Sequence, residues 1–445
     1  MARLFGTDGV RGVANRDLSP ELAFKLGYSG AALLASKNSK GSIVVGKDTR
    51  ISADLLEAAL ISGICSAGVD VLRVGTLPTP AIAYLTRDLG ADAGVVISAS
   101  HNPAKYNGIK FFDAQGYKFK DDVEDRIEAL TRRETEKDRP VGGDVGAASD
   151  VEDAAQRYIE HAIGTVTGSL EGFKIVLDCA NGAAYQVFPA ILRELGATIF
   201  EFAVEPNGLN INEKCGSTYP QFVQEIVKTR DVDLGLTLDG DADRVIAVDK
   251  SAEEVDGDFI MAICAIHSKN LGCLANDAVV TTVMTNMGFD LAMKRNGIKV
   301  IKTKVGDRYV LEEMIAKNIV IGGEQSGHII FLDHTTTGDG IITALQLLAV
   351  MRDTGKSLSE LSAVMERLPQ VLVNISVSQI KHLKDAQNVW SAVDSVQRKL
   401  DGRGRILVRP SGTEPLVRVM VESDSQEEAD NIAHEMASLI QTELQ

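Results

Sequence analysis

Three stretches of this chain repeat one order of elements: an apolar strand, a helical stretch, a second strand and then a third. The first strands read Gly41-Ser-Ile-Val-Val-Gly46, Phe173-Lys-Ile-Val-Leu-Asp178 and Asp277-Ala-Val-Val-Thr-Thr282. The second strands fall at 69–74, 198–202 and 298–301, and the third at 93–98, 232–238 and 319–322. Strands alternating with helices predict βαβ units with mainly parallel pairing. A recurrence of about 45–60 residues from first to third strand predicts three copies of one α/β domain. A chain of 445 residues also exceeds what one hydrophobic core supports.

Local punctuation fits this frame. Ser19-Pro20-Glu21 places a capping hydroxyl before a proline at the first helical position, and the helix is expected to run to about Ser36. Ser52 is expected to cap a second helix that ends near Gly68. The polar run 131–150 reads as an exposed connection. From about 369 the pattern changes to a strand (371–377), a helix (385–400), paired strands (405–409 and 416–422) and a last helix to 444, a small α+β domain. The expected architecture is three similar mixed-sheet α/β domains at 1–155, 156–255 and 256–368, plus the smaller α+β domain at 369–445, around a central cleft.

Open α/β sheets hold ligands beyond the carboxyl ends of their strands. The third strand of each copy is followed by a polar loop: Ser98-Ala-Ser-His-Asn-Pro103, Asp239-Gly-Asp-Ala-Asp-Arg244 and Gly323-Glu-Gln-Ser-Gly-His328. Three equivalent loops of this kind predict one composite site. Asp239, Asp241 and Asp243 alternate in a turn that Gly240 allows to bend, so they can converge on one cation. Oxygen-only ligation suits Mg²⁺ or Ca²⁺ better than zinc. A helix–loop–helix calcium loop would need Glu at its twelfth position, where Lys250 stands. Mg²⁺ commonly shares a phosphate oxygen, and a phosphorylated Ser100 would supply one.

Composition narrows the partners. The net charge is 46 − 62 = −16, which opposes binding to nucleic acid or anionic lipid. Any phosphate site must therefore be built locally from Arg, Lys and backbone N–H groups. Cys65, Cys179, Cys215, Cys264 and Cys273 form no CxxC pair and are odd in number, as expected of reduced thiols. Arg3, Asp8 and Arg11 interrupt any apolar leader, and no run approaches the ~20 apolar residues that span a bilayer. The cytoplasm is the expected compartment.

Phe5-Gly-Thr-Asp-Gly-Val-Arg-Gly12, the three loops above and Arg409-Pro-Ser-Gly-Thr-Glu-Pro415 together resemble the signature of the α-D-phosphohexomutase family, in order, from residue 5 to residue 418. The opening motif and Gln325 resemble the family's amino-sugar branch. The resemblance implies a reversible conversion of glucosamine 6-phosphate to glucosamine 1-phosphate through a phosphoserine and a 1,6-bisphosphate that serves as intermediate and activator. It implies a metal site of Ser100 (as phosphate), Asp239, Asp241 and Asp243 for Mg²⁺, with Lys110 as general base. A lysine near cations is expected to have a lowered pKa.

Arg11 and Arg244 would add positive charge at the reacting phosphoryl group. His328, and less so His101, are proton-transfer candidates. Glu324 and Ser326 would hold the sugar's O3 and O4. Arg409, Ser411, Gly412, Thr413 and Arg418 would grip the other phosphate. Lys304-Val-Gly-Asp-Arg308 would be a hinge or a substrate contact. A homodimer is plausible on the same resemblance. The alternatives are a mutase for glucose or mannose phosphates, a phosphatase that admits water to the phosphoserine, and a non-catalytic sugar-phosphate sensor.

Overall fold

The computed structural model describes residues 3–6, 8–34, 40–132, 139–378, 380–410 and 416–444. The expectations for Ser36, Ser411, Gly412 and Thr413 lie outside them. Two compact units emerge, one of Met1–Val283 with Ile298–Ala363 and one of Met284–Gly297 with Val364–Gln445.

The first unit holds the three expected sheets. In spatial order the first is Val10–Val13, Tyr106–Asp113, Ala93–Ile97, Ser42–Lys47, Asp70–Thr76 and Ala148–Asp150. The second is Glu254–Val255, Val245–Asp249, Leu234–Leu238, Lys174–Asp178 and Thr198–Phe202, and the third is Lys299–Thr303, Ala278–Thr282, Ile321–Gly323 and Ile329–Phe331. In every case the first strand of the repeat is central, with the second parallel on one side and the third parallel on the other. The sheets are mixed, because after each third strand the chain turns back as an antiparallel return strand.

These parallel strands are apolar because both faces are covered. All five residues of Ala93–Ile97 and of Leu234–Leu238 are buried. Each large aliphatic side chain so buried contributes about 1.5–3 kcal/mol before entropy is counted. Ile43, Val45, Val95 and Ile97 pack with Leu56, Leu60 and Ile64 of helix Ile51–Ser66 in one such core.

Local signals held in part. Helix Pro20–Leu34 starts where expected, and Ser19 Oγ accepts from Leu22 N at 3.3 Å. The second helix begins earlier than expected, at Ile51. Arg50 is its N-cap, and the Ser52 hydroxyl instead accepts from Asn107 Nδ2 at 2.9 Å. Gly68 follows that helix with φ +86°, a left-handed conformation that glycine takes without strain. The connection after residue 131 ends as the exposed edge strand Ala148–Asp150, whose lack of alternation hid it.

The second unit contains an antiparallel sheet ordered Gln370–Ser376, Leu416–Glu422, Arg405–Pro410, with helices Gln387–Leu400 and Gln426–Leu444. This is the expected α+β domain. Helix Met287–Arg295 belongs to the same unit: Met287 N donates to Glu422 Oε2 at 2.9 Å, and Arg405 Nη2 donates to Thr285 O at 2.6 Å. Among the described residues, no helix is long and apolar enough to cross a membrane.

Candidate active site

The three polar loops are the turns between third strands and return strands, so each sits at the carboxyl end of a parallel strand. They meet. Ser100 Oγ donates to Asp239 Oδ2 at 2.6 Å, Val245 N donates to Gly327 O at 3.2 Å, and His328 Nδ1 lies 3.6 Å from Asp243 Oδ2. Gly240 permits the closest approach. A Cβ there would stand 2.7 Å from the Ser100 carbonyl oxygen and 2.7 Å from Ile211 Cδ1.

Asp239, Asp241 and Asp243 each present a carboxylate oxygen, and these atoms lie within 4.8 Å of one another. All three residues are buried, and Oδ1 of Asp241 and of Asp243 has no hydrogen-bond partner. Burial, followed by the charges of Asp243 and Asp241, pushes the Asp239 carboxyl well above the usual range. Burial also acts to raise Asp243, but His328 and Lys110 outweigh it and hold that carboxyl well below the usual range. Crowded, partly unsatisfied carboxylates are costly without a partner. A hard divalent cation fits them: it would accept the orphaned oxygens and cancel the repulsion.

Lys110 lies on the return strand Tyr106–Asp113 and is 1% exposed. Its Nζ is 2.9 Å from Asp241 Oδ2, 3.0 Å from Asp8 Oδ2 and 3.8 Å from Asp243 Oδ2. The expected lowering of its pKa is not found. Burial acts in that direction, but Asp241, Asp8 and Asp243 outweigh it and hold the amine above the ordinary lysine value.

The two motif histidines differ. His101 Nδ1 is 3.2 Å from Ser100 Oγ, and burial, then Arg244 and Arg11, lower its pKa to about 4. Gly338 N lies 3.1 Å from His328 Nε2 and Nδ1 faces Asp243; burial acts to lower the ring's pKa, but Asp243 and Asp307 outweigh it and raise it. A Cβ on Gly338 would stand 2.4 Å from the ring. His328 thus steadies one carboxylate of the aspartate cluster, with both nitrogens engaged. Arg244 Nε is 3.6 Å from Asp243 Oδ1, and Arg11 Nη2 pairs with Asp8.

In the third loop, Glu324 is half-buried and Ser326 exposed. Glu324 Oε1 accepts from Gly306 N at 3.1 Å. Gln325 points elsewhere: its Nε2 donates to Asp256 Oδ2 at 3.1 Å, and its carbonyl accepts from Gly257 N at 3.0 Å. In the second unit, Arg409 and Arg418 face each other across the antiparallel sheet. Cross-strand partners share a face. Burial and the neighbouring Arg418 charge lower the Arg409 pKa.

Profiles of all four domains of one family match in order: Phosphoglucomutase/phosphomannomutase, alpha/beta/alpha domain I over residues 2–138, domain II over 156–253, domain III over 256–368, and the C-terminal domain over 372–439. The chain belongs to the phosphoglucomutase/phosphomannomutase family. It is similar to the phosphoglucosamine mutase of Pelotomaculum thermopropionicum, 56% identical over 99% of both chains, and to that of Clostridium novyi, 54% identical over 99% of both. Among solved structures it is similar in fold to a phosphoglucomutase/phosphomannomutase family protein of Burkholderia thailandensis (TM-score 0.83, 22% identity, 99% of this chain and 98% of that one). The N-acetylphosphoglucosamine mutase of Aspergillus fumigatus, solved with GlcNAc-6P and magnesium, is similar too (TM-score 0.72, 20% identity, 99% of this chain and 96% of that one).

Several residues of this enzyme's site escaped the sequence reading. Thr79 Oγ1 donates to Asp241 Oδ2 at 2.6 Å, fixing that carboxylate. Lys118 lies largely buried between Asp8 and Asp307, pairing with both. Arg308, expected as a hinge or substrate contact, is committed to Glu124 at 2.9 Å and to Asp121. The stretch 335–340, whose Gly338 meets His328, carried one signal: its composition, Thr-Thr-Thr-Gly-Asp-Gly, resembles the other polar loops.

Proposed function

We propose that this enzyme interconverts glucosamine 6-phosphate and glucosamine 1-phosphate through a phosphorylated Ser100 and glucosamine 1,6-bisphosphate. The observation that carries this is the Ser100 hydroxyl lying 2.6 Å from Asp239 in a loop that meets a buried three-aspartate cluster. Relatives more than half identical over 99% of this chain are named phosphoglucosamine mutase, which supports the amino-sugar substrate.

Asp239, Asp241, Asp243 and the Ser100 phosphate would hold Mg²⁺. When bound, Mg²⁺ neutralises charge on the transferring phosphoryl group and shares the negative charge of Asp241 and Asp243 that otherwise keeps Lys110 protonated. In the first transfer the bond between phosphorus and Ser100 Oγ breaks and one to the sugar O1 forms. Lys110 Nζ takes the O1 proton. The bisphosphate then turns over in the site; in the second transfer Ser100 Oγ, left without a proton by the first, bonds to the 6-phosphorus, the phosphorus–O6 bond breaks, and O6 takes the proton that Lys110 holds. No water or net proton is consumed. Arg11 and Arg244 add positive charge beside the reacting group.

Glu324 and Ser326 are assigned the hydroxyls O3 and O4, contacts that serve the sugar either way round. Arg409 and Arg418, with Ser411, Gly412 and Thr413, are assigned the phosphate that is not reacting; a half-buried pair of guanidinium groups suits an anion. The test compares glucosamine 6-phosphate, glucose 6-phosphate and mannose 6-phosphate in one assay. The proposal requires the highest kcat/KM for glucosamine 6-phosphate; a better neutral sugar overturns the specificity.

A further inference from the structure

Arg50 belongs to none of the motifs above, yet its side chain is 0% exposed. Lysine and arginine are almost never fully buried without partners of matching geometry. Its Nε donates to Asp48 Oδ2 at 2.9 Å. Both terminal nitrogens reach backbone carbonyls of the serine loop. Nη1 reaches Pro103 O at 2.7 Å, and Nη2 reaches Ser100 O at 2.9 Å and Asn102 O at 2.7 Å.

The other end of Ser100 is held through the same anchor. Asp48 Oδ2 accepts from Ser98 Oγ at 2.6 Å, and Ser98 Oγ accepts from Ser100 N at 3.0 Å. From the second sheet's loops, Asn212 Nδ2 donates to Ser100 O at 2.9 Å and to Asn102 O at 3.2 Å. Ser100 itself has φ +50°, the left-handed region. For a residue other than glycine that conformation costs roughly 1–2 kcal/mol and survives only where the surroundings enforce it.

We propose that Arg50, oriented by Asp48, is a positioning residue that holds the nucleophile loop in its left-handed turn and so aims Ser100 Oγ at the aspartate cluster. This rests on the phosphoserine reading above. The planar guanidinium serves three carbonyls and a carboxylate at once. A lysine at the same place carries the charge but lacks the fork. In the Arg50→Lys variant the loop carbonyls lose their common partner, and Ser100 relaxes toward ordinary backbone angles, away from Asp239. The groups assigned to the sugar lie elsewhere, so substrate affinity is untouched.

The test uses full-length Arg50→Lys and Asn212→Ala. The readouts are kcat and KM for glucosamine 6-phosphate, the rate at which glucosamine 1,6-bisphosphate phosphorylates Ser100 by intact-protein mass, and the melting temperature. The expected result for Arg50→Lys is a kcat about 100-fold lower, KM within about threefold of wild type, and an equal fall in phosphorylation rate. Asn212→Ala, which leaves the Arg50 contacts in place, is expected to lose about tenfold in kcat at an unchanged melting temperature. A kcat for Arg50→Lys within about threefold of wild type, per folded molecule, overturns the proposal. Should Arg50→Lys not fold, Asp48→Asn, which removes the charge that orients Arg50 and holds Ser98, decides alone, and wild-type kcat there is equally fatal. A wild-type enzyme that isomerises none of the sugar phosphates defeats the parent reading instead, a result these variants cannot mimic.

Discussion

Ser100 Oγ and Asp239 Oδ2, 139 residues apart in sequence, are joined by a 2.6 Å hydrogen bond. The contact places the proposed nucleophile of one sheet against the aspartate loop of another. Replacing Ser100 by Ala removes the nucleophile and little else. The expected loss in kcat is at least about 10³-fold. Thermal unfolding should change by no more than about 2 kcal/mol, because the hydroxyl's contacts to Asp239 and His101 are lost. Steady-state assay and calorimetry of the same preparation check both parts.

Asp239→Asn separates the metal from the fold. Burial and like charges already disfavour the ionised Asp239, so the neutral amide should cost nothing in stability when divalent cations are chelated. Wild-type protein should gain about 1–3 kcal/mol when Mg²⁺ is restored well above its Kd. The variant should gain much less and be inactive. Melting curves with and without chelator give the comparison.

Asp339, beside the aspartate loop through the Gly340 N to Ala242 O hydrogen bond of 2.9 Å, offers a pH prediction. It caps helix Gly340–Thr354 through Ile341 N and Ile342 N, and accepts from Tyr158 Oη at 2.8 Å. Burial pushes its carboxyl up to about 6. A folded-state pKa above the unfolded value means that the folded state binds the proton more tightly. This group's contribution is therefore full below about pH 4 and is lost as pH rises through about 6, a change of about 3 kcal/mol at most. An asparagine in its place keeps the cap and can donate to the tyrosine. Asp339→Asn should match wild type at pH 4 and melt higher at pH 7.5, as calorimetry at the two pH values will show.

Gln325 shared with the opening motif the resemblance to an amino-sugar branch, yet its amide is spent on Asp256. Gln325→Ala should lower kcat/KM for glucosamine and glucose phosphates alike, by about tenfold, by loosening the loop that presents Glu324 and Ser326. The ratio between the two sugars should hold. A changed ratio would make Gln325 a selector after all.

Much of the fold was legible because its periodicity is local: strand, helix, strand, strand recurs three times, and the loops that follow are polar. The return strands that make the sheets mixed, such as Val245–Asp249, follow so closely on the polar loops that they read as part of them. The site was legible where chemistry is concentrated in one motif, as at Asp239, Asp241 and Asp243. It was illegible where a residue matters through distant pairing. Lys118 pairs with Asp307 across 189 residues, and Thr79 bonds Asp241 across 162. The direction of the Lys110 pKa shift was hidden for the same reason: the carboxylates of Asp8 and Asp241 that surround it come from other stretches of chain.

Helix Met287–Arg295 packs with the C-terminal residues although it lies some eighty positions earlier in the chain. The C-terminal unit is therefore not a detachable tail. Any single truncation near residue 368 strips Met287 N of Glu422 and leaves Asn286 without its contact to Leu368. Dissection of this enzyme into independently expressed pieces has to follow a discontinuous seam, and a fragment cut at one point in the gene inherits buried polar groups stripped of their partners.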